Sequence, residues 1–493
     1  MSLINISNLT FAYDGSYDDV FTNISFQLDT DWKLGLCGRN GRGKTTLLKL
    51  LMGEYEYSGI ITASVEFVYF PYTVKAASDM VIDVLEAVDS DMELWQVRRE
   101  LTKLAVSEDV LYRQFDTLSS GEQTKVLLAG LFSCENRFLL IDEPTNHLDM
   151  EARGIVSRYL GGKQGFILVS HDRAFLDECI DHVLSINKES IDIMQSDFSG
   201  WWEQKQREDA YELGLNERLA KEVDRLQAAA ARTARWSDQV EKSKRQPQKS
   251  GLSVDTGYIG HKSAKMMKRS KVAQRRREDA IEEKSALLKD IEMVDDLEIR
   301  PLMYHTSRLL SVEGLSVSYG SSEVFRDINF TLRQGERLAI QGGNGSGKSS
   351  IVKLLCGQDI PHTGQVDIGS RLIISYVPQD ASFLSGDLRD YARAEEIDES
   401  VFKAILSKLD FSRVQFEKDI ADFSAGQKKK VLIAASLCKR AHLYVWDEPL
   451  NYIDVFSRVQ IEELIFAYSP TMVFVEHDRT FCENIATNFL SLY

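Results

Sequence analysis

Residues Gly38–Thr45 read GRNGRGKT, and 304 positions later Gly342–Ser349 read GGNGSGKS. Each stretch follows a short apolar run (KLGLCG, RLAIQG) and leads into a segment with helical apolar spacing that stops at glycine (TTLLKLLMG, SSIVKLLCG). Strand, glycine-rich turn and helix in that order satisfy G-x-x-x-x-G-K-[ST]. The glycines let the backbone wrap closely around phosphates, and the helix N-terminus adds partial positive charge. Working outward, four further motifs recur at nearly the same interval. LSSGEQ (Leu118–Gln123) answers FSAGQK (Phe423–Lys428), and LIDEPTNHLD (Leu140–Asp149) answers VWDEPLNYID (Val445–Asp454). VSHDR around His171 answers VEHDR around His477, and LTFAYDG at Tyr13 answers LSVSYGS at Tyr319. Five motifs at offsets of 304 to 306 mean duplicated domains, over about 1–198 and 306–493.

Within each copy FLLID and LYVWD, and likewise GFILVSH and MVFVEH, are buried-strand runs between helical segments. Strands alternating with helices predict an α/β fold with mostly parallel sheets. The same motifs carry chemistry. Lys44 and Lys348 suit the β- and γ-phosphates of a nucleotide, and the hydroxyls of Thr45 and Ser349 suit magnesium. Asp142 and Asp447 end apolar strands, which holds a carboxylate rigidly near a metal. Glu143 and Glu448 follow at once, placed to orient or deprotonate water. His171 and His477, each after a hydrophobic strand, fit as sensors of the γ-phosphate.

Composition narrows the classes. The chain has 493 residues, 43% hydrophobic and 10% aromatic, enough for two or three ordinary cores. No stretch of eighteen or more apolar residues occurs, so no membrane span is expected, and the N-terminus MSLINISNLTFAYDG lacks the features of a secretory signal. Six scattered cysteines without a C-x-x-C pair fit a reducing cytoplasm, and a cytoplasmic location is expected.

Residues 199–305 join the two copies. From Gln204 to Lys244 there is no proline and one glycine, and Leu215, Leu219, Val223 and Leu226 fall on one helix face. QPQKSGLSVDTGYIG breaks the pattern, and a second helical run spans about His261–Leu297 with Ile281, Leu288 and Ile291 on one side. The reading is an antiparallel helical hairpin with a loop at about 245–260. Between Arg232 and Arg277 fourteen Lys/Arg face three acids, a window of +11 in a chain of formal charge −16. Cations gathered toward a tip attract phosphate, with salt-dependent affinity. Trp236 and Tyr258 are candidates for base stacking.

LSSGEQ and FSAGQ resemble the signature motif of ATP-binding-cassette (ABC) ATPases, a resemblance that covers both copies. It implies ATP and Mg2+ as cofactors, ATP hydrolysis to ADP and phosphate, and two cassettes paired head to tail within one chain, hence a monomer. Each ATP would lie between one P-loop and the other cassette's signature. The first site would combine Gly38, Asn40, Gly41, Gly43, Lys44, Thr45, Thr46, Asp142, Glu143 and His171 with Ser424 and Gly426. The second would combine Gly342, Asn344, Gly345, Gly347, Lys348, Ser349, Ser350, Gln379, Asp447, Glu448 and His477 with Ser119 and Gly121. Tyr13 and Tyr319 look like the aromatic residues that stack on adenine. Magnesium would take Thr45, Asp142, Ser349, Gln379 and Asp447. One position departs: Gln379 in ISYVPQD is matched by Tyr72 in VEFVYFPYT. A phenol cannot copy an amide carbonyl at a metal, so the two sites are expected to be inequivalent.

Two tandem cassettes joined by a basic hairpin resemble the ABC-F translation factors. The resemblance implies binding to the bacterial 70S ribosome at its exit site, with the hairpin reaching the P-site tRNA and the peptidyl-transferase centre of 23S rRNA. TDWKLGLCGRNGRGKTTLL, VDTGYIGHKSAKMMKRSK, FSAGQKKKVLIA and WDEPLNYIDV look like the Lsa-type group, which protects ribosomes against lincosamides, streptogramin A and pleuromutilins. Lys244, Arg245, Leu252, Val254, Tyr258, Lys262, Lys265, Lys268, Arg269 and Lys271 are the candidate RNA contacts. Other readings are a translation regulator without a drug connection, the energising subunit of a transporter, and a chromosome or DNA-repair ATPase. The last would place its coiled coil inside one cassette rather than between two.

Overall fold

The computed structural model describes residues 2–13, 19–74, 76–88, 92–133, 137–146, 148–187, 190–211, scattered positions to 228, 301–320 and 322–492. Two compact units result: Met1–Trp201 with Val294–Tyr493, and Trp202–Met293. The loop at 245–260, the second helical run and every candidate RNA contact lie outside the described residues. Of the linker, a helical stretch over 198–211 is described.

The first unit holds two copies of one architecture. In the first copy a six-stranded sheet runs in the order Glu66–Phe70, Arg137–Asp142, Phe166–Val169, Lys33–Cys37, His182–Ile186 and Ile191–Met194. Its pairings are parallel except the last. The second copy repeats it with five parallel strands: Ile374–Val377, Leu443–Asp447, Met472–Val475, Arg337–Gly342 and Asn488–Leu492. The central strands are apolar at nearly every position because helices cover both sheet faces. Leu47, Leu48, Leu50 and Leu51 bury the helix Lys44–Leu51 against Leu34, Leu36, Ile167 and Val169. Ile351, Val352 and Leu355 do the same against Leu338, Ile340, Val473 and Val475.

Each copy also carries a three-stranded antiparallel sheet that the expectation of mostly parallel sheets did not include. Its order is Phe21–Asp29, Leu3–Phe11, Ser58–Thr62 in the first copy, and Ser322–Arg333, Arg308–Tyr319, His362–Ile368 in the second. Ile4, Ile6, Leu9 and Phe11 point into the core while their neighbours face outward, the alternation of a sheet with one wet face. Short polar interruptions disguise that alternation when the sequence is read alone.

The sheet order positions the chemistry. The strands that end in the first P-loop, in His171 and in the Asp142–Glu143 pair lie side by side, so their carboxyl ends converge, the usual ligand edge of an α/β sheet. Asp142 lies opposite Val169, and Asp447 opposite Val475.

Candidate active site

Both P-loops turn through left-handed glycines, Gly41 and Gly43 at φ 82° and 89°, Gly345 and Gly347 at 81° and 90°. A Cβ on Gly43 would lie 2.7 Å from Val20 Cγ1, so conformation and space both demand glycine. Lys44 is buried, and its Nζ donates to the carbonyls of Gly38 (2.7 Å) and Arg39 (3.2 Å) and to Asn40 Oδ1 (3.4 Å). Lys348 Nζ donates likewise to Gly342 O and Gly343 O, both at 2.8 Å. Burial lowers the pKa of both ammonium groups, opposed by the carboxylates nearby, Asp454 and Glu143 above all for Lys44, and Glu448 and Asp149 for Lys348. An incoming phosphate would exchange neutral carbonyl partners for charged oxygens.

The donor set fits magnesium. Thr45 Oγ1 donates to Asp142 Oδ2 at 2.9 Å, and Ser349 Oγ to Asp447 Oδ1 at 3.4 Å, a hydroxyl and a carboxylate beside each phosphate loop. Tyr69 also donates to Asp142 Oδ2, at 2.9 Å. Sequence reasoning missed Tyr69. Its only signal was the alignment of VYFPY with ISYVPQ, which pairs it with Tyr376.

Glu143 and Glu448 have φ of 50° and 46°, the left-handed region that non-glycine residues enter at a cost, and backbone strain of this kind gathers at functional sites. Their N–H groups donate to Val169 O and Val475 O at 2.9 and 3.0 Å. The side chains then diverge. Glu448 Oε2 accepts from Gln379 Nε2 at 2.8 Å and Asn451 Nδ2 at 2.9 Å, and Oε1 lies 3.5 Å from His477 Nε2. Burial alone would raise its pKa, but the bonds from His477, Gln379 and Asn451 prevail and hold it at about 2. Glu143 Oε1 lies 3.2 Å from His171 Nε2 but outside hydrogen-bond alignment, and it is buried without a partner. Burial, then the adjacent Asp142, raise it to about 8. Tyr72 brings no help, because its hydroxyl points to Ala87 O at 3.5 Å. Burial, with the charges of Lys44 and Arg458, pushes His171 well below 6.5, so it is neutral at physiological pH.

These shifts give opposite stability signatures in the nucleotide-free protein. Between about pH 5 and 8 the unfolded chain releases a Glu143 proton that the folded chain keeps, so Glu143 costs stability as pH rises through that window. Glu448, depressed from 4.5 to about 2, contributes stability present above 4.5 and lost as pH falls toward 2. At about 1.4 kcal/mol per pKa unit, each effect is of order a few kcal/mol. Glu143→Gln is expected to raise the melting temperature at pH 8, with the gain vanishing at pH 5, while Glu448→Gln lowers it at pH 8. Calorimetric scans of both variants check this, and shifts of the same sign contradict it.

The two cassettes meet through these loops. Asn40 Nδ2 donates to Tyr452 O at 3.0 Å, and Asn344 N donates to Asp149 Oδ2 at 3.3 Å, so each P-loop touches the other cassette just past its acid pair. Burial would raise the Asp149 pKa, but hydrogen bonds from Ala152 and Asn344 N–H hold it low. Gly426 comes within reach of Asn40: a Cβ there would lie 3.3 Å from Asn40 Nδ2. Arg39 pairs with Asp410 at 3.1 Å, Arg153 donates to His477 O at 3.1 Å, and buried Arg173 pairs with Glu462. A cavity of about 450 Å³ joins Gly345, Gly347, Lys348, Ser349, Ser350, Gln379, Glu448, Asn451 and His477 with Ser120, Leu148 and Arg153 of the first cassette. Tyr319 lines it too. Ser119 and Gly121, expected there, flank the Ser120 that does.

The signature serines cap helices. Ser119 forms a reciprocal capping box with Glu122 on Ser120–Leu131, and Ser424 with Gln427 on Ala425–Cys438. Tyr13 and Tyr319 are partly exposed and bond to Thr46 Oγ1 (2.6 Å) and Ser350 Oγ (3.0 Å), which sets them at the mouths of the P-loops.

Two P-loops, two strand-end acid pairs and two signature helices facing each other define an ABC-type ATPase. A family model described as ABC transporter matches residues 21–146 and 325–451, just over half of the chain, and the chain belongs to this family. It binds and hydrolyses ATP. Relatives matched over nearly the whole chain include ABC-F proteins. The ribosome protection protein VmlR of Bacillus subtilis is 28% identical over 99% of this chain and 86% of its own length. The energy-dependent translational throttle protein EttA of Haemophilus influenzae is 24% identical over 96% and 88%. Among solved structures, the archaeal ribosome recycling factor aABCE1, in complex with the stalk protein aP1, superposes with a TM-score of 0.64 at 20% identity, covering 98% of this chain and 87% of its own, a likeness of fold. No helix among the described residues is long and apolar enough to cross a membrane.

Proposed function

We propose that this chain is an ATP-driven ribosome-protection factor of the bacterial cytoplasm. The observation that carries the reading is the similarity to VmlR, which extends over both cassettes and the linker between them. The head-to-tail contacts support it, since nucleotide held between two P-loops and two signature helices can set the posture of whatever joins them. The domains are taken as 1–198, 199–305 and 306–493, in one monomer.

ATP would lie against the P-loop amides with Lys44 or Lys348 on its terminal phosphates, and adenine against Tyr13 or Tyr319. Thr45 and Asp142, and Ser349, Asp447 and Gln379, would hold magnesium, which when bound spreads the charge of the phosphate oxygens. Glu143 or Glu448 would orient the attacking water and accept its proton, with His171 or His477 against the γ-phosphate. The closed form would occupy the exit site of the 70S ribosome, directing the +11 window at 23S rRNA and P-site tRNA.

Expression in a susceptible bacterium tests the reading. Inhibitory concentrations of a lincosamide, a streptogramin A and a pleuromutilin are expected to rise at least about fourfold. Deleting 246–258 should abolish that rise while sparing ribosome binding. Unchanged concentrations for all three classes would instead favour a translation regulator without a drug connection, a reading that the similarity to the throttle protein EttA supports.

A further inference from the structure

The second cassette carries a buried cation where the first has none. Lys429 lies in the helix Ala425–Cys438, behind the signature serine, and is 3% exposed. Its Nζ donates to two backbone carbonyls, Pro378 O and Glu448 O, both at 3.0 Å. Those carbonyls belong to different segments. Pro378 directly precedes Gln379, past the strand Ile374–Val377, and Glu448 directly follows the strand Leu443–Asp447. Gln379 closes the ring through its 2.8 Å bond to the Glu448 carboxylate. One ammonium therefore ties together the backbones whose side chains meet at the hydrolytic centre.

Two features argue that this tie serves chemistry rather than stability. Glu448 holds φ at 46°, and a strained residue keeps such a conformation only when its surroundings hold it there. An ammonium taken out of water is also a poor stabiliser, because an apolar residue of similar volume fills the same space without the desolvation cost. The first cassette supplies the contrast. Thr124 stands at the position matching Lys429, and its hydroxyl, one bond from Cβ, has no stem with which to span two segments. There Tyr72 points away and Glu143 Oε1 is left without a partner.

We propose that Lys429 is a positioning residue for ATP hydrolysis at the second site, fixing the Glu448 and Gln379 backbones against each other so that the carboxylate is aimed at the water it activates. This rests on Glu448 serving that role and not on any ribosomal partner.

The test isolates the second site with Glu143→Gln and adds Lys429→Thr, Lys429→Met or Lys429→Arg, measuring ATP turnover without ribosomes. Threonine is tolerated at this place in the first cassette, and methionine keeps the length of the stem. For both, kcat is expected to fall about tenfold or more with KM for ATP within about twofold, in protein that remains folded at the assay temperature. Arginine, which restores paired donors, should recover at least about a third of the rate. Turnover within twofold of the parent for both Thr and Met overturns the proposal. So does a loss matched by the fraction unfolded in both, or an arginine variant as slow as methionine. Any of these three failures leaves the ribosomal reading intact, since no ribosome enters the measurement.

Discussion

Glu448→Gln is expected to cut steady-state phosphate release far more than Glu143→Gln. Removing a positioned general base costs about 10²–10⁴ in rate where that base works at full effect. Glu448 meets the conditions: it is ionised at neutral pH, held at about 2, and aimed by Gln379 and Asn451. Glu143 does not. Held at about 8, it is mostly protonated at neutral pH before nucleotide binds, and no aligned hydrogen bond fixes its Oε1. The first site is therefore expected to carry less of the turnover, so that losing its glutamate subtracts less. Phosphate release by the two single variants under saturating ATP measures this. Equal rates would contradict the inequivalence.

Gly426→Ala is the second large effect expected. A methyl there would lie 2.4 Å from Tyr452 O, a backbone atom that cannot rotate aside. Tyr452 already sits at φ 66°. Its carbonyl is also the acceptor for Asn40 of the first P-loop, so moving it breaks a contact between the cassettes. Overpacking of this kind costs about 1–3 kcal/mol. The variant should melt several degrees lower and lose most of its turnover. Gly121→Ala is the control: its methyl meets only Leu148 Cδ2, at 3.5 Å, so its melting temperature in the absence of nucleotide should barely move. Equal melting shifts in the two variants would contradict this account of the interface.

What the sequence disclosed follows from how local each requirement is. The P-loop turns and the strand-end acids were legible because each is set by adjacent residues in the chain, glycines where the backbone turns left-handed and carboxylates where apolar strands stop. The departure at Tyr72 was legible for the same reason, and the structure adds where the phenol goes. Tyr69, Tyr452 and Lys429 were not legible. Tyr452 acts through its backbone carbonyl, which any residue supplies, and Lys429 looks like one more lysine in the run KKK. Their importance comes from which segments the sheet order brings together. The antiparallel sheets were hidden by irregular alternation, and the side chain of Ser119 is engaged in the capping box with Glu122 while Ser120 lines the cavity at the second P-loop.

The central claim is that nucleotide held between the paired cassettes sets the basic linker on ribosomal RNA. Sedimentation of the Glu143→Gln, Glu448→Gln double variant with 70S ribosomes, in saturating ATP and at graded salt, tests it most directly. The expected result is a stable complex that pellets with the particles, weakens steeply as salt rises, and is absent without ATP. A double variant that stays in the supernatant at low salt with ATP present would contradict it.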